Sequence, residues 1–245
     1  RPIGVVAVSV AGLEGPSPIV NVEALLEWQQ PSAGALGFGT AFATIGDELL
    51  GDGRAELAIG APFEGSGILY VAVGDVVPPV NRYARVVPSA LSADAAFGET
   101  VEDIGDLDGD GAHEILVGAP FDDSGAAAIP ECSAEPGSPA SYNGDCAGAI
   151  AVVRGADLSE AADADVDPTC ILLGAAGERL GAALRALTPA AAGVRVAVGA
   201  PATAIAPGSV SIVTITMTSA VCTFSSTPLP ARGLAGDRFG FSFGQ

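Results

Sequence analysis

Short apolar runs closed by proline recur along this chain. Residues 57–60 (Leu-Ala-Ile-Gly) and 115–118 (Ile-Leu-Val-Gly) are apolar throughout, and Ala61-Pro62 and Ala119-Pro120 follow them. A third version runs Val194-Arg195-Val196-Ala197-Val198-Gly199-Ala200-Pro201. Runs this short that do not alternate with polar residues predict strands covered on both faces. Proline has no N–H to offer a ladder, so each strand ends there.

Around each run the same frame repeats. Phe38-Gly39, Phe97-Gly98 and Leu180-Gly181 precede the three runs, and Phe239-Gly240 begins a fourth copy. First strands are expected at 40–45 and 99–104, and third strands at 68–73, 149–153 and 210–216. Fourth strands are expected at 82–87, 169–173 and 221–224. Phe38 and Phe97 are 59 residues apart, as are Leu180 and Phe239. The unit is therefore about sixty residues, and self-similarity of that period decides the architecture. The middle interval is longer, and its excess falls in the Pro-, Gly- and Ser-rich stretch 126–146, read as a loop insertion. Small residues such as Ala58, Gly60 and Ala197 allow sheets to approach closely. Stacked four-stranded units of this kind are the blades of a β-propeller.

Phe-Gly, an Asp-x-Asp-Gly-Asp-Gly loop and Gly-Ala-Pro together resemble the FG-GAP repeat of integrin α-subunit propellers and of many bacterial surface proteins. The resemblance covers nearly the whole chain. It implies an all-β fold of four-stranded antiparallel blades in one domain over residues 1–245. The divisions are a partial blade at 1–37, blades at 38–96, 97–179 (with the insertion) and 180–238, and the start of another at 239–245. Three full units are fewer than the seven blades the resemblance implies, so an incomplete or open propeller is expected. Its unpaired edges would invite self-association.

The middle copy alone carries a full set of alternating acids, Asp106-Leu107-Asp108-Gly109-Asp110-Gly111-Ala112-His113-Glu114. Calcium takes six to eight hard oxygen ligands, and carboxylates at alternate loop positions can wrap one ion. Asp106, Asp108, Asp110, the Ala112 carbonyl and Glu114 are the expected ligands of Ca2+. The competing reading is a solvated acidic turn, but three clustered carboxylates repel one another without a cation. In the first copy Asp47, Asp52 and Glu56 form a weaker second set, where Arg54 could take the place of an ion. The third copy has no acid between Gly181 and Gly199. Asp163, Asp165 and Asp167 lack the Gly pattern and are expected in a solvated loop.

Charge narrows the partners. Against 29 acids stand 10 bases, all Arg, for a net charge of -19. That surface disfavours nucleic acid and suits divalent cations and basic partners. The apolar stretch 205–222 is interrupted by Pro207, Gly208 and hydroxyl residues, which argues against membrane insertion. Cys132, Cys146, Cys170 and Cys222 lie outside any CxxC spacing and read as disulfides of an oxidising compartment, extracellular or periplasmic. Sequence alone leaves three pairings open. Cys132 and Cys146 bracket the insertion and suggest a local staple, which leaves Cys170 with Cys222.

Nucleophilic catalysis lacks its usual base, because His113 is the only histidine and sits in the acidic loop, where it is expected to face solvent. Recognition remains. The resemblance implies a non-enzymatic, secreted or surface-displayed module for adhesion or protein recognition, with a protein or glycan ligand on its loop face. The alternative is a non-catalytic or carbohydrate-binding domain of a larger secreted enzyme.

Overall fold

The computed structural model describes residues 36–46, 56–72, 83–124, 146–160, 165–190, 193–201 and 208–229. Strands β1 (Phe42–Ile45), β2 (Glu56–Ala61), β3 (Ile68–Ala72) and β4 (Tyr83–Val86) form the first antiparallel sheet in chain order. The second is β5 (Thr100–Gly105), β6 (Glu114–Ala119), β7 (Ala149–Val153) and β9 (Cys170–Leu173). The third is β10 (Ala183–Ala190), β11 (Gly193–Ala200), β12 (Ser209–Thr218) and β13 (Val221–Pro228). These are four-stranded blades, and among the described residues they close no barrel. The insertion up to residue 145, Cys132, nearly all of 1–37 and all of 239–245 lie outside the described residues.

The second strands are buried at every position in the first two blades. Their side chains serve two cores. Ala58, Leu69, Val71, Ala84 and Val86 of the first blade meet Ile115, Val117, Ala149, Ala151 and Val153 of the second. Leu116, Ile150 and Val152 point the other way, onto Val194, Val196, Val198, Val213 and Ile215 of the third. On the outer face of the first blade Phe38, Tyr70 and Tyr83 pack edge-to-face, with centroids 5.7–6.0 Å apart, a favourable arrangement of ring quadrupoles.

Between blades the backbones themselves touch. A Cβ on Gly60 would lie 1.9 Å from the Gly98 carbonyl oxygen, and one on Gly118 would lie 2.2 Å from that of Gly181. In each contact the glycine of one blade's Gly-Ala-Pro backs onto the glycine that opens the next blade. Gly39, Gly98 and Gly181 have φ of +88°, +94° and +91°, a region where a Cβ is strained. Their neighbours add hydrogen bonds across the same seam: Phe97 N–H donates to the Ser66 carbonyl at 2.9 Å and Leu180 N–H to that of Ala147 at 3.0 Å. Within a blade, Gly39 and Gly98 donate to the carbonyls of Gly60 and Gly118. The Phe-Gly and Gly-Ala-Pro motifs are thus the two sides of one junction.

Two features depart from the sequence expectation. In the third copy the acid-free loop is replaced by continued pairing: β10 runs to Ala190 and β11 starts at Gly193, with Ala190 opposite Gly193 and a register shift between Ala186 and Pro189. Pro189 is tolerated because β10 is an edge strand. The connection after β7 leaves Asp165 and Asp167 exposed, as expected, but it is not loop throughout. It forms α1 (Gly155–Glu160) and β8 (Asp165–Val166), and β8 pairs in parallel with β4 of the preceding blade. Asp165 accepts from Arg85 at 2.7 Å and Asp167 from Ser89 N–H at 2.7 Å, while Asp163 lies outside the described residues.

Cys170 of β9 is joined to Cys222 of β13, with Cα atoms 6.1 Å apart. This bond ties the outer strands of two successive blades. Cys146 is also disulfide-bonded.

Two stability measurements follow. Gly60→Ala should lower the urea-unfolding free energy by about 3 kcal/mol through backbone overlap. Gly65→Ala, where a Cβ meets nothing within 4 Å, should cost only about 1 kcal/mol from its positive φ; equal losses would mean that the blade seam is not close-packed. Cys170→Ser with Cys222→Ser should cost about 2–4 kcal/mol by the loss of a long-loop cross-link, read from the same denaturation curves.

Candidate metal centre

The acidic loop joins β5 to β6, the first two strands of the second blade, and Gly105 pairs with Glu114 across its base. Gly109 and Gly111 take φ of +80° and +96°, which folds the loop back on itself. Its own amides then bind its carboxylates. Gly109 N–H and Gly111 N–H donate to the two oxygens of Asp106 at 2.7 and 3.1 Å. Asp110 N–H reaches Asp108 Oδ1 at 3.2 Å, and Ala112 N–H reaches Asp110 Oδ1 at 2.9 Å. Each of these is a side-chain oxygen closing a short turn.

Glu114 is fully buried as the first residue of β6. Its Oε2 accepts from Leu107 N–H at 2.6 Å, and its Oε1 is buried with no hydrogen-bond donor. Burial pushes the Glu114 carboxyl up to about 7, with the charges of Asp108, Asp110 and Asp106 acting in the same direction and the Leu107 amide opposing. A buried, undonated carboxylate oxygen is costly unless a cation meets it. One carboxylate oxygen each from Asp106, Asp108 and Glu114 lie within 4.8 Å of one another. The donor set is all hard oxygen, so these residues fit a divalent cation that prefers oxygen.

The fourth acid has been claimed by another group. Arg154 Nη2 lies 2.5 Å from Asp110 Oδ2, and its Nε donates to Asp108 Oδ2 at 2.8 Å. Asp110 does not join the converging trio, whereas Asp108, held by the same guanidinium, does. The Ala112 side chain is buried, and a Cβ on Gly155 would fall 2.9 Å from it. His113 is only part-exposed, and its Nδ1 lies 3.0 Å from Asp103 Oδ1.

In the first blade only Glu56 of the weaker set is described. It is buried at the start of β2, opposite Ile45, as Glu114 stands at the start of β6. Asp47, Asp52 and Arg54 lie outside the described residues.

Arg154 lies outside the loop motif, and nothing in the sequence marks it. Ile115 pairs with Val153 in the β6–β7 ladder, so one further step places Arg154 beside Glu114. Only the strand register, not the loop motif, brings it there.

Integrin alpha-6 of Homo sapiens is 38% identical over 95 residues, 37% of this chain. Integrin alpha-PS5 of Drosophila melanogaster is 30% identical over 93 residues, 36% of this chain. About a third of the chain is thus similar to integrin α subunits, consistent with an FG-GAP, integrin-like propeller region. A phosphatidylinositol-glycan-specific phospholipase D of Mus musculus is 34% identical over 108 residues, 42% of this chain. The matched regions span only 8%, 9% and 12% of those proteins' own lengths. No family model matches the chain.

Removing the Glu114 charge separates its structural and ligand roles. In EDTA, Glu114→Gln should be at least as stable as wild type, since the Leu107 bond can persist while repulsion within the loop falls. It should also lose the calcium-dependent rise in melting temperature. A large loss of stability in EDTA, read by thermal denaturation, would show that the carboxylate is needed by the fold itself.

Proposed function

We propose that this chain is an extracellular, calcium-binding, integrin-like module for adhesion or protein recognition, without catalytic activity of its own. The observation that carries the metal is the convergence of Asp106, Asp108 and Glu114 around a buried carboxylate oxygen with no donor. Asp110 and the Ala112 carbonyl complete the proposed set once the ion is present. When bound, calcium supplies the positive charge that four clustered acids need, and the protein's part is to hold their oxygens in place. Glu56, with Asp47 and Asp52, is the weaker second site.

The similarity to integrin α subunits supports a recognition role, with a protein or glycan as ligand on the loop face. Disulfides support a secreted or cell-surface location, extracellular or periplasmic. No described helix is long and apolar enough to cross a membrane, and the net charge of -19 disfavours nucleic acid. A second reading has its own support. Because one similar protein is by name a phospholipase, the module would alternatively be a non-catalytic or carbohydrate-binding domain of a larger secreted enzyme.

Extracellular calcium modules bind in the range of roughly 0.1–1 mM. At about ten times the dissociation constant, linkage should stabilise the fold by roughly 1.4 kcal/mol. Titration calorimetry should therefore give a calcium heat for the wild type that Asp108→Ala abolishes. Equal heats from the two proteins would sink the assignment.

A further inference from the structure

We propose that Arg154 is a tethered cation that occupies the acidic loop when calcium is absent and must leave it for the ion to bind, so that this side chain sets the affinity of the site. The inference rests on the calcium reading above and extends it to a residue outside the loop.

Each of two carboxylates is shared in the same way. Asp108 and Asp110 give Oδ1 to a loop amide and Oδ2 to the Arg154 guanidinium. The Asp108 side chain is 1% exposed beneath this contact, so the guanidinium covers the oxygen that solvent or an ion would otherwise reach. Two cations held on neighbouring oxygens of one small loop repel strongly, and far more so where water is excluded. Guanidinium and calcium therefore compete for the Oδ2 oxygens of Asp108 and Asp110. One guanidinium also cannot balance four acids: Asp106 is bound only by amides and Glu114 Oε1 by no donor. The Arg-filled loop is neutralised in part, which leaves a drive for a divalent ion to replace it.

The side chain can move without the backbone. Arg154 N–H is anchored on Thr169 Oγ1 at 3.1 Å, directly after β7. A second acceptor stands ready on α1, because Asp157 Oδ1 lies 3.8 Å from Arg154 Nη1. Displacement by calcium thus moves the guanidinium from Asp108 and Asp110 toward Asp157, and it remains paired in both states. An exchangeable ion pair of this kind holds the calcium-free loop together while lowering its affinity for the ion.

The test is calcium calorimetry on the wild type, Arg154→Gln and Arg154→Lys, with circular dichroism to check folding. The side-chain Nε–H resonance of Arg154 is followed in parallel by NMR. Loss of the two charge-assisted bonds should make Arg154→Gln bind calcium roughly tenfold more tightly or better. Arg154→Lys, a point charge that cannot bridge two carboxylates, should fall between it and the wild type. The Nε–H resonance should shift on saturation. Unchanged or weaker binding by folded Arg154→Gln, or an Nε–H resonance unmoved at saturating calcium, overturns the proposal but leaves the metal site standing. Should Arg154→Gln not fold, an Arg154→Lys affinity equal to wild type overturns it in the same way. If neither wild type nor variant binds calcium, the metal reading falls and this one with it.

Discussion

The close approach of glycine backbones between successive blades is the contact on which the rest of this structure depends. Gly60 against Gly98, and Gly118 against Gly181, bring adjacent sheets within a distance that no side chain can occupy. Because the seam is that tight, small and β-branched residues suffice to fill the cores on either side, and only 5% of the residues are aromatic. It also fixes the phase of each blade relative to the next. The amides of Phe97 and Leu180 reach the preceding blade from the residue just before the seam glycine, so sequence adjacency in the motif becomes a two-point attachment in space.

That rigid frame is what makes the acidic loop a site. Its ends are strands β5 and β6, and every residue of β6 is buried between packed sheets. Glu114 is held at the buried end of the hairpin and cannot relax into solvent, so its unsatisfied oxygen persists as a demand for positive charge. The third blade shows the alternative solution. With no acids, its first two strands pair on almost to the turn, and the blade stands without a cation.

Charge is handled locally rather than by the surface as a whole. Arg85 bridges to Asp165 on the strap that returns from the second blade to the first, and Arg154 at the head of the same strap enters the loop. With 10 bases against 29 acids, placing one of the few arginines here concentrates scarce positive charge where acids are densest. The Cys170–Cys222 bond restrains the outer strands, where the glycine seams no longer reach.

Much of the architecture was legible along the chain. The proline-closed apolar runs marked β2, β6 and β11, and the spacing of Phe-Gly pairs marked the blade junctions, because a strand buried on both faces and a backbone at positive φ each permit few residue types. The alternating acids likewise named the loop, since oxygen ligands must come from side chains at fixed intervals. What sequence could not show was which distant segments would meet. Asp165 and Asp167 are exposed but look unpartnered until β8 is seen beside β4, and Arg154 looks like a strand-end charge until the β6–β7 register sets it against Asp108 and Asp110. Both depend on pairing between residues far apart in the chain, and only the packed sheets decide that pairing.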